Sequence, residues 1–385
     1  MRDFEFYNPV KIIFGKNKIE KIAKELKAYK KIMLIYGQGS IKRNGIYDRV
    51  VSVLEDKDFI EFSGIEPNPS YETLMKAVDL AKENNVDFLL AVGGGSVIDG
   101  TKFISAAIKY SGDDPWNMLS KCERVLAAVP LGSVLTIPAT GSEMNGGAVI
   151  SRKSSGEKLS FGSYLLMPKF SILEPEVMYS LPDIQIANGI VDAFVHVLEQ
   201  YLTYPMNADL QDEWSASLLR VIVKNGKAVL KNRKDYDANS NLMWAATMSL
   251  NGLIAKGVVE DWSTHIIGHE ITALYNIDHA QTLAIVLPGI MRSQKKEKFE
   301  KLIHFAENVW GFDSGNNEEN VENAILKTED FFNEIGIKTK LSDYNIPKGA
   351  IEKICKNLEK KNFVELGENK SVSPEVVREV LTFSL

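Results

Sequence analysis

The sequence predicts an α/β fold in two parts, a parallel sheet flanked by helices and then a region built of helices alone. In the first half of the 385 residues, short β-branched or aromatic runs alternate with amphipathic stretches. That alternation is typical of a parallel sheet with helices on both faces. From Asp183 to Leu385 strand signals are almost absent. We therefore expect an α/β domain over residues 1–181 and an all-helical domain over residues 182–385.

Buried-strand runs and helical periodicity predict the individual elements. The predicted strands are Lys31–Tyr36, Asp87–Val92, Val125–Ala128, Val134–Ile137 and Ser171–Leu173. Apolar residues at helical spacing predict helices over Tyr71–Asn84 and Ser96–Tyr110. In the second domain the predicted helices include Ile184–Leu202, Ala208–Leu230 and Ser240–Ala255, and the polar run Asp313–Asn320 predicts a surface loop.

Composition and charge exclude several classes of protein. Hydrophobic residues make up 45% of the chain and charged residues 25%, which are ordinary globular values. A net charge of −6 without a Lys/Arg block argues against a nucleic-acid partner. Cys122 and Cys355 are too far apart for a metal-type spacing and indicate a reducing compartment. With neither a signal peptide nor a membrane span in view, we expect a soluble, cytoplasmic protein that does not bind a membrane.

Two glycine-rich turns follow predicted strands and indicate nucleotide binding. Gly37–Ser40 follows the strand Lys31–Tyr36, and Gly93–Ser96 lies where the next strand meets a helix. Glycines let a diphosphate approach the backbone, and a helix N-terminus offers free N–H groups. Asp99, one turn into that helix, lies within reach of a ribose or a nicotinamide amide. A tight turn or a plain helix cap is the alternative interpretation.

The charge around the first turn favours NADP over NAD. Neither turn has the GxGxxG pattern, so a standard Rossmann fingerprint is absent. No carboxylate follows the strand to bind a free ribose 2′-hydroxyl, whereas Ser40, Lys42 and Arg43 are potential donors to a 2′-phosphate. A solvated surface is the alternative for Lys42 and Arg43.

Four of the five histidines and one aspartate predict a metal site. Asp192 and His196 are four residues apart, as are His265 and His269, so a helix places each pair on one face. His279 follows closely. Three imidazoles and one carboxylate suit Fe²⁺ or Zn²⁺. Five candidates compete for four ligand positions, and spacing alone does not choose between His265 and His269.

The sequence contains no zinc-protease motif, and the fifth histidine stands apart from the other four. The dipeptide His269-Glu270 lacks the second histidine of HExxH, because position 273 is alanine, so a zinc-protease site is excluded. His304 is isolated from the other four, and we interpret it as structural.

At these residues the chain resembles the iron-containing (group III) alcohol dehydrogenase family, and within it the NADPH-dependent aldehyde reductases and butanol dehydrogenases. The resemblance covers essentially the whole length. The matching motifs are Tyr36–Ser40, Glu66–Pro69, Gly93–Lys102, Pro138–Glu143, Asp192–His196 and His279–Ala284.

The resemblance implies a set of site residues and a dehydroquinate synthase-like architecture. It implies Asp192, His196, His265 and His279 as ligands of Fe²⁺ or Zn²⁺, and His269 as the histidine beside the substrate pocket and a proton relay. Gly39 occupies the place where NAD-preferring relatives carry an aspartate. The cofactor-binding residues predicted from the turns and the resemblance are Gly37, Gly39, Ser40, Asn68, Gly94, Gly95, Ser96, Asp99, Thr136, Thr140, Asn145 and Lys158.

The implied function is reversible reduction of a small aldehyde to a primary alcohol with NADP(H), in a homodimer. Trp262 and Phe194 are candidates to line the substrate pocket, although buried aromatic residues more often belong to the core. Three alternatives stay open from the sequence: a glycerol-type polyol dehydrogenase, a metal-dependent lyase like dehydroquinate synthase, and a purely structural metal site. The lyase would need a basic cluster for a phosphate-bearing substrate, and no Lys or Arg lies near the ligand segments.

Overall fold

The structure is a computed structural model that describes residues 1–385, and the chain forms two compact units. The sheet unit contains Tyr7–Leu181 and Arg233–Thr247. The helical unit contains Met1–Phe6, Pro182–Asn232 and Met248–Leu385. The predicted division into residues 1–181 and 182–385 stays a prediction, and the grouping in the structure differs from it at two short segments.

Contacts within the sheet unit explain why Arg233–Thr247 belongs there. The Thr247 hydroxyl donates a hydrogen bond of 2.5 Å to Oε1 of the buried Glu143. The Trp244 ring packs edge-on against Phe14, with ring centroids 6.3 Å apart. Neither contact is visible in a local sequence pattern, because the partners are far apart in the chain.

The sheet unit is built on a six-stranded parallel sheet with the strand order β1-β8-β5-β4-β2-β3. The strands are β1 Lys11–Phe14, β2 Lys31–Tyr36, β3 Asp58–Phe62, β4 Phe88–Gly93, β5 Leu131–Leu135 and β8 Phe170–Leu173. Strands β6 Gly147–Arg152 and β7 Glu157–Gly162 form a separate antiparallel hairpin. Every residue of the central strand β4 is buried, as expected for a strand that is covered on both faces.

Helices connect these strands. They are α1 Ile22–Glu25, α2 Ser40–Arg43, α3 Ile46–Leu54, α4 Tyr71–Glu83, α5 Gly95–Lys109 and α6 Asn117–Ser120, with 3₁₀ turns over Ile19–Lys21, Ser142–Met144, Tyr164–Leu166 and Pro175–Ser180. Helix α5 begins directly after β4, and its first three turns are almost wholly buried. The predicted α/β class of this part is confirmed.

The rest of the chain is helical, which confirms the prediction for the C-terminal part. The helices are α7 Asp183–Tyr201, α8 Asp209–Lys231, α9 Tyr236–Ser249, α10 Ser263–Tyr275, α11 His279–Ser293, α12 Phe299–Phe305, α13 Asn317–Glu334, α14 Ala350–Lys360 and α15 Pro374–Thr382. A π-helical turn covers Ala306–Trp310 and a 3₁₀ turn covers Leu341–Tyr344. Helix α7 is buried on nearly all sides and packs against α8 and α11. No helix combines the length and the apolar character that a membrane crossing requires.

Several predicted elements differ from the structure. Val125–Ala128 forms no strand, and Leu126 in its middle is 79% exposed. The strand predicted over Val134–Ile137 begins and ends earlier, as β5. The helix predicted over Ser240–Ala255 is α9, which starts and stops several residues earlier. Strands β1 and β3 and the β6–β7 hairpin were not predicted, because each is only partly buried and its apolar runs are short.

Candidate metal centre and cofactor-binding turns

Four predicted ligand residues come together in the helical unit. Helix α7 supplies Asp192 and His196, α10 supplies His265, and His279 is the first residue of α11. The Asp192 Oδ1 atom lies 3.7 Å from Nε2 of His196, 4.0 Å from Nε2 of His265 and 3.8 Å from Nε2 of His279. Asp192, His196 and His265 are each less than 7% exposed. The three helices therefore direct three imidazoles towards one buried carboxylate.

This arrangement fits a single divalent ion. Ligand atoms of Asp192, His265 and His279 all lie within 4.8 Å of one another, and the His196 and His265 rings are stacked with centroids 4.7 Å apart. Two ligands at about 2.1 Å from one ion lie at most about 4.2 Å apart. The three carboxylate-to-imidazole distances fall inside that limit and are too long for direct hydrogen bonds. Three imidazoles and a carboxylate are a donor set that suits Fe²⁺ or Zn²⁺.

His269 lies beside the cluster on the next turn of α10. Its ring centroid is 4.8 Å from that of His279 and 6.1 Å from that of His265, and the side chain is half-buried. Asp192 lies within 4.0 Å of the His265 ring, so the geometry brings His265 into the cluster and leaves His269 at its edge. The residue that follows, Glu270, is bound by Asn357 and Lys361 and faces away from the site.

Glu199 is a member of this site that the sequence reading missed. It is 4% exposed on α7, and its Oε2 atom is hydrogen-bonded to Nδ1 of His265. Burial, together with the nearby Asp261 carboxylate, raises the pKa of Glu199 well above its ordinary value. The signal that could have revealed it is spacing, because residues 192, 196 and 199 share one face of a helix.

The two aromatic candidates for the substrate pocket, Trp262 and Phe194, have different surroundings in the structure. The Trp262 ring packs against the rings of His196 and His265, with centroids 6.3 Å and 5.2 Å apart. Phe194 is fully buried on another face of α7, inside an aromatic cluster with Phe305, Trp310, Phe331 and Phe332. Phe194 therefore belongs to the core, the commoner role of a buried aromatic residue, and Trp262 remains a candidate for the pocket.

The turn between β4 and α5 requires glycine because the chain packs closely against itself. A Cβ atom added at Gly95 would lie 2.4 Å from Thr140 Cγ2, and one added at Gly93 would lie 2.5 Å from Val97 Cγ2. A Cβ at Gly94 would meet Ile137 at 3.2 Å. The glycines thus bring the predicted cofactor residues Gly94, Gly95 and Thr140 together, while Ser96 lies in the first turn of α5, whose start is not capped by the side chain of the N-cap residue.

In the turn after β2, the backbone conformation and not close packing favours glycine. Gly39 has φ +94° and ψ 14°, a left-handed conformation that favours glycine, and it precedes the short helix α2. Lys42 lies over the rings of Tyr36 and Tyr47 and is 3.9 Å from Glu61. The Lys42 side chain therefore contacts these residues. Ser40 and Arg43 remain as the candidate donors to a 2′-phosphate at this turn.

Asp99 belongs to a buried polar network within the sheet unit. Its Oδ1 accepts from the Ser142 hydroxyl at 2.5 Å and its Oδ2 from the backbone N–H of Val149 at 2.9 Å. Burial raises the pKa values of Asp99 and Glu143. The fully buried Lys102 supplies the neighbouring positive charge, and burial lowers its pKa to about 8 against the pull of the two carboxylates. The Asp99 carboxylate therefore already accepts hydrogen bonds from other residues of the protein.

Lys102 links this network to several predicted cofactor residues. Its Nζ donates to Ser142 Oγ, Asn145 Oδ1 and the Gly147 carbonyl at 2.8, 2.9 and 2.7 Å. Sequence reasoning did not assign a role to Lys102, although it lies in one of the matching motifs. It fixes the segment that follows Thr140, from Ser142 to the start of β6.

The remaining predicted cofactor residues lie near the ends of the strands. Lys158 on β7 donates to Asn68 Oδ1 at 2.9 Å, which brings two of them together. Thr136 follows β5, and its backbone N–H donates to the Gly93 carbonyl at 3.0 Å. Gly37 directly follows β2, where a Cβ would lie 3.3 Å from the carbonyl oxygen of Ile65.

A cavity of about 300 Å³ adjoins the turn after β2 within the sheet unit. Its lining includes Asn44, Arg49, Glu174, Glu176, Tyr179 and Ser180. Arg49 and Glu174 form an ion pair of 2.6 Å in its wall. The cavity is thus polar and lies immediately after Ser40–Arg43 along the chain.

Comparison with known protein families decides the assignment. A model described as iron-containing alcohol dehydrogenase matches residues 9–175, and the model of the C-terminal region of the Fe-containing alcohol dehydrogenase family matches residues 186–382. The chain belongs to the iron-containing alcohol dehydrogenase family. The resemblance inferred from the motifs is confirmed.

Individual relatives within this family match the chain over nearly its full length. The NADPH-dependent aldehyde reductase YqhD of Escherichia coli strain K12 is 46% identical over 382 residues, which cover 99% of this chain and 99% of that protein. NADH-dependent butanol dehydrogenase A of Clostridium acetobutylicum is 39% identical over 385 residues, again 99% of both chains. The crystal structure of E. coli YqhD has a TM-score of 0.98 at 45% identity and covers 100% of this chain and 99% of that chain.

Proposed function

We propose that the protein is a metal-dependent oxidoreductase that interconverts small aldehydes and primary alcohols with NADP(H). The observation that carries this proposal is the convergence of three imidazoles on the buried Asp192 carboxylate at 3.7 to 4.0 Å. The relatives support the substrate class, since one is named an aldehyde reductase and another a butanol dehydrogenase.

Asp192, His196, His265 and His279 would hold one Fe²⁺ or Zn²⁺ ion. The chemistry that a bound divalent ion and a bound reduced nicotinamide supply is stabilisation of negative charge on the carbonyl oxygen and delivery of a hydride. Burial of Asp192, His196 and His265 keeps water away from the ligands and strengthens electrostatic interactions at the site.

His269 is the residue to which we assign the proton step. Its ring lies 4.8 Å from the His279 ring and is half-buried, so it is close to the ligands and still exchanges protons with solvent. In the direction of aldehyde reduction His269 would take up a proton from solvent and pass it to the oxygen of the reduced carbonyl, directly or through one water.

The nicotinamide cofactor would bind the sheet unit through its two glycine turns. Gly94, Gly95 and Ser96 would receive the diphosphate at the N-terminus of α5. We assign the adenosine end to the cavity of about 300 Å³ that adjoins α2. Asn68, Asp99, Thr136, Thr140, Asn145 and Lys158 are proposed as the further cofactor residues.

NADP is the proposed cofactor, although the relatives include both NADPH- and NADH-dependent enzymes. Ser40 and Arg43 are the donors that would bind the 2′-phosphate, because Lys42 lies over Tyr36 and Tyr47. Gly39 leaves no carboxylate at this turn to repel the phosphate. This assignment revises the predicted donor set by one residue.

A homodimer remains the proposed assembly. Strand β1 lies at an edge of the sheet, and Tyr7, shortly before it in the same unit, is 63% exposed. An open strand edge is a surface that another chain can cover. The cytoplasmic location also stays a prediction.

The test of the proposed function is oxidation of reduced nicotinamide with butanal as substrate. We expect turnover that is faster with NADPH than with NADH, that a chelator abolishes, and that Fe²⁺ or Zn²⁺ restores. Glycerol with NADP⁺ or NAD⁺ is the parallel assay for the polyol dehydrogenase alternative. Absence of turnover with short aldehydes in fully metallated protein would contradict the proposal and return attention to the lyase and structural-metal alternatives.

A further inference from the structure

One carboxylate in the helical unit binds a single residue twice. Glu199 Oε1 accepts from the backbone N–H of His265 at 3.1 Å, and Glu199 Oε2 is hydrogen-bonded to Nδ1 of the His265 ring. The other nitrogen of that ring, Nε2, lies 4.0 Å from Asp192 Oδ1. Glu199 therefore holds both the main chain and the side chain of a proposed metal ligand, through the ring nitrogen that does not face Asp192.

We propose that Glu199 is a positioning residue for the metal centre, an inference that rests on the proposed function. By accepting from Nδ1, it keeps the proton of the neutral imidazole on that nitrogen and leaves the Nε2 lone pair for the ion. A carboxylate on the far nitrogen of a ligating histidine also makes the ring more basic and restricts its rotation. Glu199 would thus set the tautomer and the direction of His265 before an ion arrives.

The burial of Glu199 supports a specific role. A carboxylate that is 4% exposed is costly unless charged or polar partners compensate it. Here both oxygens bind His265, and an ion held by His265 would add positive charge one imidazole away. An apolar residue at this position of α7 would fill the space without that cost, so packing alone does not account for a glutamate.

Buried ion pairs between side chains hold the segment just before His265 in place. The backbone N–H of Asp261 donates to the Glu199 carbonyl at 2.7 Å, and Asp261 Oδ1 accepts from the Ser263 N–H at the start of α10 at 2.8 Å. The buried Lys298 binds Asp261 Oδ2 at 2.6 Å and Glu368 at 3.0 Å. The end of α7 and the start of α10 are therefore held in register, which lets Glu199 reach both groups of His265.

The direct test compares Glu199→Gln with the wild type and with Glu270→Gln. Glu270 is the matched control, because it is 3% exposed on α10 and binds Asn357 and Lys361 instead of a ligand histidine. The measurements are the Zn²⁺ dissociation constant of the metal-free proteins, by competition with a chromogenic chelator, and the visible spectrum with Co²⁺. We expect Glu199→Gln to bind Zn²⁺ about 10- to 100-fold more weakly with an altered Co²⁺ spectrum, and Glu270→Gln to match the wild type.

The outcomes separate the two claims. If the wild type binds no ion at all, the proposed function fails. If the wild type binds one ion and Glu199→Gln binds Zn²⁺ equally tightly with an unchanged Co²⁺ spectrum, the positioning role is overturned. An equal loss in both variants would also overturn it, since that is the behaviour of any buried glutamate.

A measurement on the wild type covers the case in which Glu199→Gln does not fold. Nitrogen NMR of histidine-labelled, metal-free protein reports which ring nitrogen carries the proton, and the His265 signals are those that disappear in His265→Asn. We expect the Nδ1–H tautomer. The Nε2–H tautomer at His265 would contradict the proposal without any variant of Glu199.

Discussion

At the scale of the residue, Gly39 offers the sharpest test of cofactor choice. Its left-handed conformation, with φ +94°, is tolerated by aspartate and asparagine better than by other side chains. A Cβ at this position would meet no atom within 4 Å. We expect Gly39→Asp to raise the KM for NADPH by roughly tenfold, because a nearby carboxylate opposes a phosphate by about 1 to 2 kcal/mol at a partly exposed site.

Gly39→Asn is the matched control for that substitution, since it imposes the same backbone strain without the charge. Steady-state kinetics with NADPH and NADH on both variants give the comparison. The KM for NADPH should rise far more in Gly39→Asp than in Gly39→Asn, while that for NADH changes little in either. Equal losses with both cofactors in both variants would mean that strain, and not the 2′-phosphate, explains the glycine.

Single residues also show which features of the site could be predicted from the sequence. The i, i+4 spacing predicted that Asp192 and His196 share a helix face, and the structure has them on α7. Spacing could not choose between His265 and His269, because that choice depends on where α7 lies against α10. The orientation of the Lys42 side chain could not be predicted either, since its contacts with Tyr47 and Glu61 depend on how α3 and β3 pack.

At the scale of the element, the buried charges around α5 make a prediction about stability. Lys102 joins α5 to the segment before β6 with three hydrogen bonds. Replacing it with methionine leaves the buried Glu143 carboxylate and the partly buried Asp99 carboxylate without the charge of Lys102. We expect Lys102→Met to lower the free energy of unfolding by about 3 to 5 kcal/mol, measured by urea denaturation.

Lys109→Met provides the comparison, because Lys109 is exposed at the end of the same helix. Its effect should stay within about 0.5 kcal/mol, as for most surface substitutions. A similar, small effect of both substitutions would mean that the Asp99 and Glu143 carboxylates do not depend on the Lys102 charge.

Predictability of the elements followed their burial. Strands β2 and β4, which are mostly or wholly buried, and the long helices α7 and α8 were predicted within one or two residues. Strand β3 and the hairpin strands alternate or stay half-exposed, so their short apolar runs differ little from the surrounding sequence. The sequence left two roles open for Phe194, because whether a buried aromatic residue lines a pocket or belongs to the core depends on its neighbours in space.

At the scale of the whole molecule, the proposed cofactor and metal sites come from different parts of the chain. The glycine turns lie within residues 7–181 and the proposed metal ligands within the helical unit. Alternation of strands and helices was sufficient to predict that plan. It was insufficient to predict that Arg233–Thr247 returns to the sheet unit, since this rests on contacts such as Thr247 with Glu143.

The central claim is that Asp192, His196, His265 and His279 hold one ion on which aldehyde reduction depends. The most direct measurement titrates Zn²⁺ or Fe²⁺ into the metal-free protein while bound ion and NADPH-linked reduction of butanal are measured on the same samples. We predict that both rise together and level off at one ion per chain, and that His279→Ala shows neither under the same conditions. Full activity in metal-free protein, or a bound ion without activity, would contradict the account.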